Sequence, residues 1–217
     1  MAEDTAVHSK LITAAARANL IPVGMFQKGR SRLWLGDHGW RMDVVEFQPG
    51  RLEKGSYLNV GCMWLWNVKS WTSFDEGQYR VHDLELFEDE AQFKRSAEIL
   101  ALKAKHYVLQ QRTAFSSIQA VSEHYVKHDP VKGWQEFNAA VAHGICGRSD
   151  AALDLLAAFS INLDESIEWQ HHAKQDAHFL ASVVCDRDRF EHVITDRVVQ
   201  TRQLRKLPQV SIAFHAS

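Results

Sequence analysis

The sequence predicts an α+β protein: an N-terminal helix and a small antiparallel β-meander covered by a long helix, followed by a C-terminal all-α helical bundle. Three observations support this class. Apolar residues recur at three- and four-residue steps in 5–20 and again from Glu88 to about Phe115, which is typical of helices packed on a core. Short aromatic and β-branched runs, separated by glycine turns, lie between those stretches. After Asp129-Pro130 almost every segment has helical spacing.

The first half should form the sheet. The first helix ends near Pro22 and Gly24, because proline and glycine interrupt helical backbone. Strands are expected at 31–35, 40–47, 56–66 and around 78–84. Their connections are short, which favours an antiparallel meander. The second strand has apolar residues on both faces, which indicates either a bulge near Val44 or cover on both sides of the sheet, and we favour the cover.

The second half should be helical throughout. A long helix at 88–115 and a shorter one at 117–127 lead into helices at about 131–146, 149–159, 164–184 and 187–206. Short links between such helices favour a bundle. The last helix mixes arginines with acidic residues, which is typical of a solvent-exposed face. We therefore expect an α+β domain at 1–128 and a helical domain at 129–217, either separate or packed as one unit.

Composition narrows the function classes. The 217 residues contain 25 Lys and Arg against 27 Asp and Glu, a net charge of -2, which disfavours broad nucleic-acid binding. The acidic start Glu3-Asp4 does not resemble a secretory signal, and no apolar run is long enough to span a membrane. Cys62, Cys146 and Cys185 lie far apart, as expected for reduced thiols in a cytoplasmic protein.

One group of residues could bind a metal. Glu168, His172 and Asp176 are spaced four apart and would stack on one face of the helix at 164–184. Carboxylate and imidazole are competent ligands for zinc, iron or manganese. A metal site needs further ligands from a second element, and none stands out. A solvated polar face is therefore the favoured interpretation, and a metal-dependent enzyme is the alternative.

Two further candidates concern partners. Lys28, Arg30 and Arg32 lie beside Trp34, and such a basic strip could bind phosphate or single-stranded nucleic acid weakly. Charges that protect an edge strand also explain the strip, and this interpretation is favoured. Trp71 follows the third strand among serine and threonine residues, and an exposed aromatic of this kind could anchor a protein partner.

The first half resembles a known bacterial family. The stretch Gly24–Trp34, the run Val44–Gln48 and the sequence Leu58-Asn59-Val60-Gly61 are similar to the motifs of the domain of unknown function 4304 family. The resemblance covers roughly residues 5–115. It implies an α+β fold with a small antiparallel sheet, and it implies no activity or catalytic residues.

The preferred function is non-enzymatic protein interaction, including an immunity-type role. The sequence contains no phosphate-binding glycine loop, and Cys146, three residues after His143, lacks a visible base and orienting group. We read Cys146 as a small residue packed at a helix end. Catalytic residues and cofactors are therefore not expected, the partner should be another protein, and the oligomeric state stays open.

Overall fold

The computed structural model describes residues 2–77 and 79–215, and it confirms the predicted α+β class. The helices are α1 (Ala2–Leu20), α2 (Glu90–Ala114), α3 (Ile118–Lys127), α4 (Trp134–Ile145), α5 (Ser149–Ile161), α6 (Glu168–Val183) and α7 (Arg187–Leu204). The strands are β1 (Phe26–Gln27), β2 (Leu33–Asp37), β3 (Arg41–Glu46), β4 (Gly55–Trp64) and β5 (Arg80–Leu86). A short 3-10 turn at Ile21–Val23 follows α1, where the sequence predicts the helix to end.

The five strands form one antiparallel sheet in the order β1-β2-β3-β4-β5. The pairing of β2 with β3 runs without a break from Leu33↔Glu46 to Asp37↔Met42. Every residue of β3 from Arg41 to Val45 is buried, so the expected cover on both sides is confirmed. The strand expected around 78–84 is β5, and Gln78 lies outside the described residues.

The chain forms two compact units. The first contains the described residues up to Met63 together with Thr72–Thr113, and thus α1, the sheet up to Met63 and α2. Its core joins side chains of both helices to one face of the sheet. Among them are Ile12, Leu20, Trp34, Phe47, Leu58, Phe93, Leu100 and Val108. Burying this apolar surface stabilises the unit, at roughly 25 cal/mol for each Å² removed from water.

The second unit contains Trp64–Trp71 and the described residues from Ala114 onward, which form α3–α7. Helices α4, α5 and α6 pack in succession, and α7 packs on α4 and α6. Here α3 belongs to the helical unit, although the composition of the sequence changes only near Asp129. Whether 1–128 and 129–217 fold as separate domains stays a prediction.

Candidate interaction surface

The segment Trp64–Trp71, called here the tryptophan segment, continues from β4 and belongs to the helical unit. The rings of Trp64 and Trp66 stack with centroids 4.9 Å apart and planes inclined by 10°. Phe115 meets the Trp64 ring edge-on at 5.4 Å. Both indoles are fully buried, as their alternation in the sequence predicts. Aromatic packing therefore holds the first half of the segment in the core.

Helix α4 binds the same segment through one buried amide. The Oδ1 atom of Asn138 accepts hydrogen bonds from Trp66 Nε1 at 3.0 Å and from Asn67 Nδ2 at 2.9 Å. An amide oxygen has two lone pairs, so these two donors use its full capacity. Asn138 is fully buried, and truncating it would leave both donors without this acceptor.

Helix α7 binds the segment through three side chains that we call the α7 polar row: Arg197, Thr201 and Arg205. They are spaced four apart and therefore share one face of the helix. Arg197 Nε donates to the Trp66 carbonyl at 3.0 Å, and Thr201 Oγ1 donates to the Asn67 carbonyl at 3.4 Å. Arg205 Nη1 donates to the carbonyls of Ser70 and Trp71. The row thus satisfies backbone acceptors in the middle and at the C-terminal end of the segment.

Arginine and threonine suit this arrangement because a segment without regular secondary structure leaves its carbonyls without backbone partners. Arg197 also donates from Nη2 to Asp176 Oδ2 at 2.8 Å, which fixes the guanidinium between α6 and the segment. The prediction that the charges of the last helix face solvent is wrong for Arg202. That side chain is fully buried and donates to the Pro208 carbonyl.

Trp71 ends the segment and faces solvent, with 65% of its surface exposed. Its backbone is held by Arg205, while its indole is free to contact a partner. A large aromatic side chain on a fixed backbone is a favourable anchor, because little backbone order has to be gained on binding. The structure thus places the one residue that the sequence suggested as a partner contact at the surface.

A second exposed apolar feature lies in the same unit, between α5 and α6. This groove has a volume of about 500 Å³, and the small side chains Ala157, Ala177 and Ala181 line it together with Leu153 and Ile161. Lys174 and His178 also border it. Small residues leave space along the helix pair, but nothing in the groove selects one kind of occupant.

The metal candidates do not form a centre. Asp176 pairs with Arg197, while Glu168 and His172 are exposed on α6. In the described part of the chain, no three or more His, Cys, Asp or Glu side chains are grouped as metal ligands. Metal binding by these three residues stays a prediction without support from the geometry.

One buried polar pair was not visible in the sequence. Ser122 of α3 and His143 of α4 lie 2.8 Å apart, Oγ to Nδ1. Burial, and then the charge of Arg148, lowers the pKa of His143, and burial raises the pKa of the nearby Cys146 thiol. A protonated thiol is a poor nucleophile, and Ser122 is fully buried. The pair therefore serves packing between α3 and α4.

The basic strip is divided in the structure. Lys28 and Arg30 lie in the turn between β1 and β2 and are exposed. Arg32 is half-buried and contacts α1, where Nη2 bonds His8 and Ser9. The three residues therefore do not act as one continuous surface, and Arg32 has an environment of its own.

The chain matches no family model, no curated protein and no solved structure. The resemblance to the domain of unknown function 4304 family therefore stays a prediction. Within the described residues, none of the helices combines the length and the apolar character that crossing a membrane requires.

Proposed function

We propose that the protein is a non-enzymatic binding module that recognises another protein through Trp71. The observation that supports this is the combination of an exposed indole with a backbone held by the α7 polar row. An immunity-type role, in which this contact neutralises another protein, is one form that the function could take.

The energetic argument rests on pre-organisation. A tryptophan buries about 150–250 Å² when it enters a partner's pocket, and tryptophan is enriched among the residues that dominate binding energy. The tryptophan segment is already ordered by Trp66, Asn67 and their partners Asn138 and Arg197. Binding therefore gains apolar burial without a large loss of backbone entropy.

The experiment compares two tryptophans of the same unit. Trp71→Ala removes the proposed anchor, and Trp169→Ala removes an indole of α6 that is 55% exposed and thus similarly accessible. Proteins captured by chemical crosslinking from a lysate of the natural source are identified, purified and titrated against all three proteins. We expect Trp71→Ala to weaken binding by at least about 2 kcal/mol, or about 30-fold in Kd, and Trp169→Ala to have little effect.

Equal affinity of all three proteins for every captured partner would contradict the proposal. So would a partner whose binding is lost on filling the groove at the exposed position Ala157, in Ala157→Phe, and retained in Trp71→Ala. Near-UV circular dichroism and denaturation of each variant verify the fold, and both exposed substitutions should change stability by less than about 0.5 kcal/mol.

A further inference from the structure

A small cavity in the first unit combines buried donors with a basic wall. We call it the N-terminal cavity: His8 of α1, Arg32 and the loop Pro49–Gly55 line it, and its volume is about 240 Å³. Besides Arg32, the loop supplies Arg51 and Lys54 as cations and Glu53 as the one carboxylate among the lining residues. The excess of positive charge favours an anionic ligand.

Arg32 is the least exposed of the charged residues in this wall. Its Nη2 donates to His8 Nδ1 and to Ser9 Oγ, each at 2.8 Å, which fixes the guanidinium against α1. Its Nη1 is buried and has no hydrogen-bond partner, and no carboxylate of the described residues forms an ion pair with it. Burial lowers the pKa of Arg32, as expected for a cation removed from water without a counter-charge.

His8 adds a neutral donor. A guanidinium can only donate, so the Nδ1 atom that contacts Arg32 must be the unprotonated nitrogen and the neutral ring carries its proton on Nε2. The ring is 4% exposed, and Nε2 forms no hydrogen bond of good geometry, although the Gly55 backbone lies close enough to act on the ring. Burial and the charge of Arg32 lower the pKa of His8 to about 4, with the Gly55 backbone opposing part of this shift. Near neutral pH, His8 therefore presents an N–H group.

The loop is held in place by its own backbone and by β5. Gly50 N donates to the Gly55 carbonyl at 3.2 Å, and Phe87 N donates to the Lys54 carbonyl at 2.9 Å. A Cβ atom at Gly55 would lie only 2.5 Å from the Glu85 carbonyl oxygen, so only glycine lets the two strands approach. The end of the loop at Gly55 is therefore anchored in the sheet.

We propose that the N-terminal cavity binds a phosphate group, either inorganic phosphate or the terminal phosphate of a small phosphomonoester. A phosphate oxygen accepts hydrogen bonds from guanidinium and imidazole N–H groups. The phosphate also supplies a negative counter-charge for Arg32. The volume of about 240 Å³ exceeds the roughly 30 Å³ that one water occupies, so the cavity can accommodate a phosphate with a few attached atoms. This site is distinct from the Trp71 surface, and its ligand is not a protein.

Calorimetric titration of the full chain at low ionic strength and near neutral pH tests the site. The probes are inorganic phosphate and glycerol phosphate, with acetate at matched ionic strength as the control anion. Arg32→Met removes the buried guanidinium, and Arg30→Met removes an exposed cation two residues away that does not line the cavity. We expect saturable binding of phosphate to the wild type, about tenfold or more weakened by Arg32→Met and changed less than about twofold by Arg30→Met.

Tighter binding of glycerol phosphate would support an extended ligand, and equal binding would support free phosphate. Absence of binding, equal binding of acetate, or an equal loss in both variants would overturn the proposal. The resonance of His8 Nε2, assigned with His8→Gln, gives a second readout on the unmodified chain. Its chemical shift should follow the same saturation curve as the heat of binding measured by calorimetry. An unchanged resonance during binding would show that phosphate binds outside the N-terminal cavity.

Discussion

Two groups of charged side chains in the first unit differ in whether each charge is paired with an opposite charge. In the Asp43 cluster, which consists of Asp43, His38, Arg41 and Arg112, a fully buried carboxylate accepts three bonds. His38 Nε2 and Arg112 Nε bond Oδ2 at 2.8 and 2.7 Å, and Arg41 Nη1 bonds Oδ1 at 2.8 Å. In the N-terminal cavity, Arg32 has hydrogen-bond partners, but no carboxylate of the described residues forms an ion pair with it.

We call the Asp43 cluster closed, because its buried carboxylate is paired with positive groups, and the Arg32 group open, because its guanidinium has no paired carboxylate. Burial alone would raise the pKa of Asp43, but the bonds and charges of His38, Arg41 and Arg112 overcome it and hold that pKa below the usual range. Arg32 has no such compensation, and burial lowers its pKa. Removing one partner from a buried charge cluster destabilises a fold, whereas a buried charge without a counter-charge is already unfavourable unless a ligand supplies that charge.

The largest effect should come from the closed cluster. Asp43→Asn leaves the buried Arg41 and the partly buried Arg112 without their counter-charge, and we expect it to lower the free energy of unfolding by about 3–5 kcal/mol. Urea denaturation measures the loss. Asp83→Asn makes the same chemical change at an exposed position of β5 and should stay within about 0.5 kcal/mol of the wild type. Similar stabilities of the two variants would show that the cluster is not a structural requirement.

Replacing Arg41 and replacing Arg32 should change the free energy of unfolding by different, smaller amounts. Arg41→Met removes one donor of Asp43 and should destabilise the protein by about 1–3 kcal/mol. Arg32→Met removes a charge that lacks a counter-charge, and we expect a change within about 1 kcal/mol of the wild type, of either sign. Denaturation in phosphate-free buffer measures both. A loss at Arg32 as large as that at Arg41 would show that both groups are closed clusters.

The third effect depends on pH and comes from the buried His8 ring. The unfolded ring takes up its proton near pH 6.5 and the folded ring only near pH 4, so the unfolded chain binds more protons between these values. Stability should therefore fall as the pH decreases from about 6.5 to about 4, by at most about 1.4 kcal/mol per pH unit, and then level off. His8→Gln removes this contribution. Parallel pH profiles of wild type and variant would contradict the shift.

The fold class could be predicted because the spacing of apolar residues within a segment indicates which side chains of that segment are buried. Alternating apolar residues predicted the fully buried Trp64 and Trp66, and apolar residues on both faces of 40–47 predicted the buried β3. The two-residue strand β1 was not predicted, since Phe26–Gln27 is too short to show a period. It forms because β2 offers a pairing edge, as in Phe26↔Leu35.

The site could be predicted only in part. Trp71 was identified because a tryptophan outside a strand among small polar residues has no obvious core to enter. The α7 polar row could not be predicted, because the sequence does not distinguish Arg197 from a surface arginine of a charged helix. Its role depends on the backbone carbonyl to which it donates. His8 and Arg32 are 24 residues apart, and neither is unusual by itself. Such pairs follow from tertiary packing, which no local pattern contains.

The path of the tryptophan segment has a consequence for synthesis on the ribosome. Trp66 is translated 131 positions before Arg197, the α7 residue that binds its carbonyl. Until α7 emerges, the Trp66 carbonyl lacks its Arg197 donor, and the segment that carries the stacked indoles is incompletely held in the nascent helical unit. Chains truncated before α7 should therefore be prone to aggregation. A chaperone that binds the tryptophan segment would be needed until α7 has been synthesised.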